Sequence, residues 1–118
     1  MIKSILLCLL LIQPIMASAQ DSFCILNKNV VGDCWEIRGR LQVYNGTPNL
    51  RIWPVGTKRL LGVVPSEAEI IPEHLRAKIK LSSKIFANFE VCPFTKFFPG
   101  QMQMVCIESA KNIRIESN

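Results

Sequence analysis

The chain predicts a mainly β fold: a small antiparallel β-sandwich or barrel with one short helical insertion, held by disulfides. Three observations lead there. Residues 35–43 alternate apolar and polar side chains with a period of two, as a half-buried strand does. Turn-forming pairs such as Asn45-Gly46 and Pro99-Gly100 break the chain into short segments. Four cysteines, Cys24, Cys34, Cys92 and Cys106, follow an N-terminus built like an export signal.

That N-terminus has Lys3, an apolar run over residues 5–12, Pro14, and the small residues Ala17-Ser18-Ala19. The pattern predicts a signal peptide over residues 1–19 and a single β domain over residues 20–118. The apolar run is too short to span a bilayer, and no later stretch is apolar for long enough. Secretion or residence in a periplasm is therefore expected, and an oxidising compartment makes two disulfides the default for the remaining cysteines.

The elements follow in order. Along the alternating segment Trp35, Ile37, Gly39, Leu41 and Val43 share one face, and Glu36, Arg38, Arg40, Gln42 and Tyr44 share the other. Asn45-Gly46 predicts a tight hairpin to a return strand over residues 50–55. Pro48 and Pro54 cannot donate ladder hydrogen bonds, so parts of that strand belong at an edge or bulge. A turn over residues 55–58 leads to a strand over 60–64. Ser66-Glu67-Ala68-Glu69 resembles a capping box, and Leu75 and Ile79 stand four apart, predicting an amphipathic helix within residues 72–81. Strands over residues 85–92 and 101–107, with a short one over 112–116, bring the expected total to six or seven.

If Pro99-Gly100 turns the last hairpin, facing residues sum to about 198, which places Cys92 opposite Cys106. A local pairing, Cys24–Cys34 with Cys92–Cys106, is favoured on that ground. The competing solution is Cys24–Cys106 with Cys34–Cys92. The same arithmetic places Glu90 opposite Glu108.

Composition removes several functions. Without Lys3, 13 basic residues stand against 9 acidic ones, a net charge of about +4 for residues 20–118. That charge is too dispersed to mark a nucleic-acid interface, so no nucleic acid is expected. His74 is the one histidine, which rules out paired-imidazole chemistry and a histidine-built zinc site. There is no phosphate-binding glycine loop and no Gly-x-Ser-x-Gly turn. No catalytic residue, metal or cofactor is assigned.

Gly39-Arg40-Leu41, Tyr44-Asn45-Gly46-Thr47-Pro48, Leu50-Arg51-Ile52-Trp53 and Gly56-Thr57-Lys58-Arg59-Leu60-Leu61-Gly62-Val63 form one block. Phe89-Glu90-Val91-Cys92-Pro93 and Pro99-Gly100-Gln101-Met102 form a second. Together they resemble a pattern in short secreted bacterial proteins of unknown function, and they cover most of residues 20–118. The first block also resembles, more distantly, the opening hairpin of transthyretin-like β-sandwiches. The first likeness implies export without an assigned activity. The second implies only a fold, and a fold does not specify function.

Two candidate binding features remain. With the hairpin turning at Asn45-Gly46, facing residues sum to about 91, which sets Arg40 opposite Arg51 and Arg38 opposite Trp53 on the outward face. Arg38 over Trp53 is a candidate cation–π pair, and two facing arginines call for an anionic group between them. The competing reading is an ordinary solvated sheet face. The second feature is the tip Phe94, Phe97 and Phe98 beside Lys96, which either presents an apolar patch to a partner protein or membrane surface or folds back to close the end of the sandwich. The expected function is an exported, non-catalytic binding module, its partner an envelope or extracellular protein or an anionic ligand. The alternatives are a small hydrolase using carboxylates drawn from Glu36, Glu90 and Glu108, and a secreted enzyme inhibitor.

Overall fold

A computed structural model describes residues 24–63 and 71–117. The expected signal peptide and the Ser66–Glu69 capping box lie outside them. The described elements are β1 (Trp35–Val43), β2 (Leu50–Pro54), β3 (Leu61–Val63), α1 (Glu73–Arg76), β4 (Ser83–Pro93) and β5 (Gln103–Ser117). The fold is mainly β, and its strands close into one barrel in the order β1-β2-β3-β5-β4, with β4 pairing back onto β1. Of the sandwich and the barrel, the barrel is realised. Every pairing is antiparallel except β3 with β5. This is the connectivity of the five-stranded Greek-key barrel called the OB-fold, a likeness of topology that carries no activity by itself.

The alternation read on β1 holds. Leu41 and Gly39 are buried, while Arg38 is exposed. Ile52, Leu61, Val63, Ile85, Phe89, Val91, Val105 and Ile107 fill the interior with Leu41. Closure needs Gly39, because a Cβ there would lie 2.6 Å from Ile52 Cγ2 and 3.2 Å from the Trp53 carbonyl. The missing side chain lets β2 curl against β1 and leaves room for Phe89.

Several expectations change. The β1–β2 connection is not a two-residue turn: the Tyr44 amide donates to the Asn49 carbonyl at 2.6 Å, with four residues between them. Pro48, which follows a cis bond, cannot add a ladder bond, so pairing begins at Val43–Leu50. The register moves by two residues, putting Arg40 opposite Trp53 and Arg51 opposite Gln42. An even shift keeps each side chain on its expected face and changes only its neighbours. Pro54 is tolerated because β3 pairs with Leu50–Ile52 alone, leaving Pro54 without a ladder partner on that side.

The predicted ten-residue helix is a single turn. Beyond Arg76, the amides of Lys78 and Ile79 bond three residues back, to the carbonyls of Leu75 and Arg76, giving tight turns instead of α-helix. Only Leu75 on α1 is buried; it packs into the barrel core with Ile71, and Ile79 lies partly buried against them. The segments 101–107 and 112–116, expected as two strands, merge into the single strand β5, which begins only at Gln103. At Asn112, φ 54°, β5 carries the extra residue of a bulge, its residues 112 and 113 facing the single position between Phe86 and Asn88.

The cysteines pair as Cys24–Cys106 and Cys34–Cys92, the competing solution and not the favoured local one. Cys92 and Cys106 do face each other in register. Facing residues of a sheet project side by side, and the N-terminal segment lies across both. The Val31 amide donates to the Pro93 carbonyl at 2.9 Å, which lays the N-terminal segment over the loop end of the β4–β5 hairpin. Each strand cysteine bonds outward to that segment, with Cα separations of 5.9 and 4.1 Å. A second bulge, between Glu90 and Val91, sets Glu90 opposite Ser109 instead of Glu108.

Candidate binding face

The outward side chains of four neighbouring strands form a transverse row. Trp53 on β2 faces Arg40 on β1, Arg40 faces Phe86 on β4, and Phe86 faces Arg114 on β5. Aromatic and cation alternate across the row. The Arg40 guanidinium carbon lies 4.8 Å from the Trp53 ring centre, and that of Arg114 lies 4.6 Å from Phe86. Both distances fall in the cation–π range. One step toward the β1–β2 loop, Arg51 stacks on Tyr44 at 5.2 Å.

Of the predicted residues, Arg40, Arg51 and Trp53 share this face as neighbours. The predicted pair of Arg38 with Trp53 does not form: Arg40 takes that place, and Arg51 stands diagonal to Arg40 instead of opposite it. Arg38 instead donates to Asn88 Oδ1 at 3.2 Å and to the Asn112 carbonyl at 3.0 Å, which fastens β1 to the bend in β5. Arg51 braces the loop, donating from Nε to the Pro48 carbonyl at 2.8 Å. Trp53 is held by its Nε1, which donates to the Thr57 carbonyl at 2.8 Å.

Tyr44, Phe86 and Arg114 were not singled out from the sequence. The signal for Phe86 was present, since its even number in the alternation of residues 85–92 places it outward. Its neighbours across the sheet, however, depend on pairings between segments far apart in the chain.

The charge on this face is unevenly compensated. Arg114 is ion-paired with Glu116. Arg38, Arg40 and Arg51 have only neutral hydrogen-bond partners among the described residues. The Arg40 Nε atom is buried without an acceptor, although Nη2 of the same group donates to the Tyr44 hydroxyl at 3.3 Å. Two residues along the same strand, the Gln42 Oε1 atom is buried without a donor. A buried polar atom left unbonded costs roughly 1–3 kcal/mol, so both atoms are a local cost to the fold.

Of the predicted carboxylates two come together and the third does not. Glu36 and Glu90 are register partners on the outer surface of the β1–β4 pair. Glu108 turns away, its Oε1 accepting from the amides of Cys24 at 2.6 Å and Ile25 at 3.1 Å. Glu108 also lies close to the sulfurs of Cys24 and Cys92, but both sulfurs are spent in disulfides and offer no thiolate to a metal. His74 is exposed on α1.

The phenylalanine tip divides. Phe94 folds back against the disulfide cluster, whereas Phe97 and Phe98 each remain 53% exposed. Beside them lies an open cavity of about 340 Å³ lined by Lys58, Arg59, Leu60, Phe97 and Met102, with no carboxylate in its wall.

Comparison with known protein families, curated proteins and solved structures gives no match for this chain. Among the described residues no helix is long and apolar enough to cross a membrane.

Proposed function

We propose that this chain is an exported, non-catalytic barrel module that binds an anionic partner, on an envelope or extracellular protein or as a free ligand, through the outer face of β2, β1, β4 and β5. The observation that carries the reading is the row Trp53–Arg40–Phe86–Arg114, in which Arg40 has only a neutral hydrogen-bond partner among the described residues. Arginine suits such a role: its planar fork meets carboxylate, sulfate or phosphate in pairs of hydrogen bonds while its face stays stacked on an aromatic ring. The Trp53 ring and the Tyr44 hydroxyl hold the Arg40 guanidinium in place, so little rotamer freedom remains to be lost on binding. Export is supported by the two long-range disulfides together with the leader-like residues 1–19.

The test is salt elution of oxidised residues 20–118 from an immobilised sulfated polysaccharide. Arg40→Gln/Arg51→Gln is compared with Lys28→Gln/Lys80→Gln, which removes the same charge from exposed positions elsewhere. The face variant elutes at clearly lower salt than the control. Equal elution of the two variants reduces the interaction to net charge and ends the proposal.

A further inference from the structure

The end of the barrel that carries the cavity has a chemistry of its own. Two connections meet there: residues 55–60 between β2 and β3, and residues 94–102 between β4 and β5. Together they present Lys58, Arg59 and Lys96 and contain no acidic residue. They also expose Val55, Phe97 and Phe98, each about half accessible.

Phe97 is held at the surface by a clamp. Arg59 donates from Nη2 to Gln103 Oε1 at 2.9 Å, and its guanidinium stacks on Phe97 at 4.6 Å. Gln103 in turn donates from Nε2 to the Thr95 carbonyl at 3.0 Å, clamping one connection to the other. Phe94, in the same segment, packs inward; Phe97 and Phe98, beyond the clamp, do not. Gly56 and Gly100 adopt φ of 87° and 83°, which turns the chain sharply enough to bring both tips to the rim.

An apolar tip ringed by cations, without an anion in either loop, complements the headgroup region of an anionic bilayer. Aromatic rings settle at the boundary between headgroups and acyl chains, and lysine and arginine meet lipid phosphate. The open cavity is lined by the cations Lys58 and Arg59 together with the apolar Leu60, Phe97 and Met102, the two kinds of group that meet a lipid's phosphate and its chain. We propose that this end of the barrel docks peripherally on an anionic lipid surface, Phe97 and Phe98 entering the interface while Lys58, Arg59 and Lys96 contact lipid phosphates. It uses none of the residues of the sheet face, so the two bindings are separable by mutation.

The experiment is sedimentation of oxidised residues 20–118 with vesicles of phosphatidylcholine alone or mixed with phosphatidylglycerol. Each cation near an anionic membrane surface contributes about fivefold in binding, so three give roughly a hundredfold preference for the anionic vesicles at low salt. Phe97→Ser/Phe98→Ser weakens binding at least tenfold, and Lys58→Gln/Lys96→Gln weakens it about 25-fold on anionic vesicles only. Arg40→Gln/Arg51→Gln sediments nearly as the parent does. All substituted side chains in the two tip variants are exposed, and unchanged thermal melts confirm their folding. Three results each overturn the proposal: equal binding to both vesicle types, full binding by the phenylalanine variant, or displacement by millimolar inorganic phosphate at constant ionic strength. The last would identify a pocket for free anions instead of a lipid-docking surface.

Discussion

Removing one disulfide distinguishes the observed cross-links from local ones, and its cost follows from chain topology. Cys24–Cys106 encloses a separation of 82 residues and Cys34–Cys92 one of 58, the second nested inside the first. Alone, the outer bond would contribute about 4.5 kcal/mol by restricting the unfolded chain. With the inner bond present it closes a ring of only about 24 residues, the difference between the two separations, and contributes about 3.5 kcal/mol. Cys24 and Cys106 are both fully buried, so Cys24→Ala/Cys106→Ala adds a packing loss of roughly 1 kcal/mol. The expected total is about 4–5 kcal/mol, a fall in Tm of roughly 20–30 °C for a domain of this size. Removing both bonds costs about 8 kcal/mol, as much as the whole stability of many such domains, so the fully reduced chain is expected to unfold without denaturant. The assay is urea unfolding followed by tryptophan fluorescence, with peptide mapping of the unreduced parent. A peptide joining Cys24 to Cys34, or an unchanged urea midpoint for Cys24→Ala/Cys106→Ala, refutes the reasoning.

Three further outcomes follow from packing and hydrogen bonding. Gly39→Ala drives a methyl group to 2.6 Å from Ile52 Cγ2 and should destabilise the barrel by about 1–3 kcal/mol, measured by the urea midpoint. Leu75→Ala empties the buried anchor of α1 and should cost about 2–5 kcal/mol, with early loss of amide protection over residues 73–79 in hydrogen exchange. Glu108→Ala strips the acceptor from the Cys24 and Ile25 amides; it should cost about 1.5–3 kcal/mol, and an unchanged melting temperature would contradict the assignment.

The two candidate surfaces occupy different parts of one small barrel. The sheet face is built on paired strands, where the register sets the spacing of aromatic and cation. The loop end is built on turns, and its geometry depends on the Arg59–Gln103–Thr95 clamp. Rigid strands suit a ligand that needs fixed spacing, whereas protruding turns suit insertion into a soft interface.

The amino-acid sequence by itself determined which residues of each strand face the core, because side-chain direction in a strand alternates residue by residue and needs no distant partner. Trp35–Val43 shows this: its inward set survived a two-residue change of register intact. The sequence also determined that Cys92 and Cys106 lie opposite each other, since a hairpin's register follows from its turn. Only the tertiary structure decided what crosses that hairpin, and so which cysteine each of them bonds. It alone paired β3 with β5 in parallel and β4 with β1, contacts between segments whose separation leaves no local signature. The row Trp53–Arg40–Phe86–Arg114 draws on four such strands. Its aromatic and charged residues were visible in the chain, but their adjacency comes from long-range pairing, settled by burial of the common core.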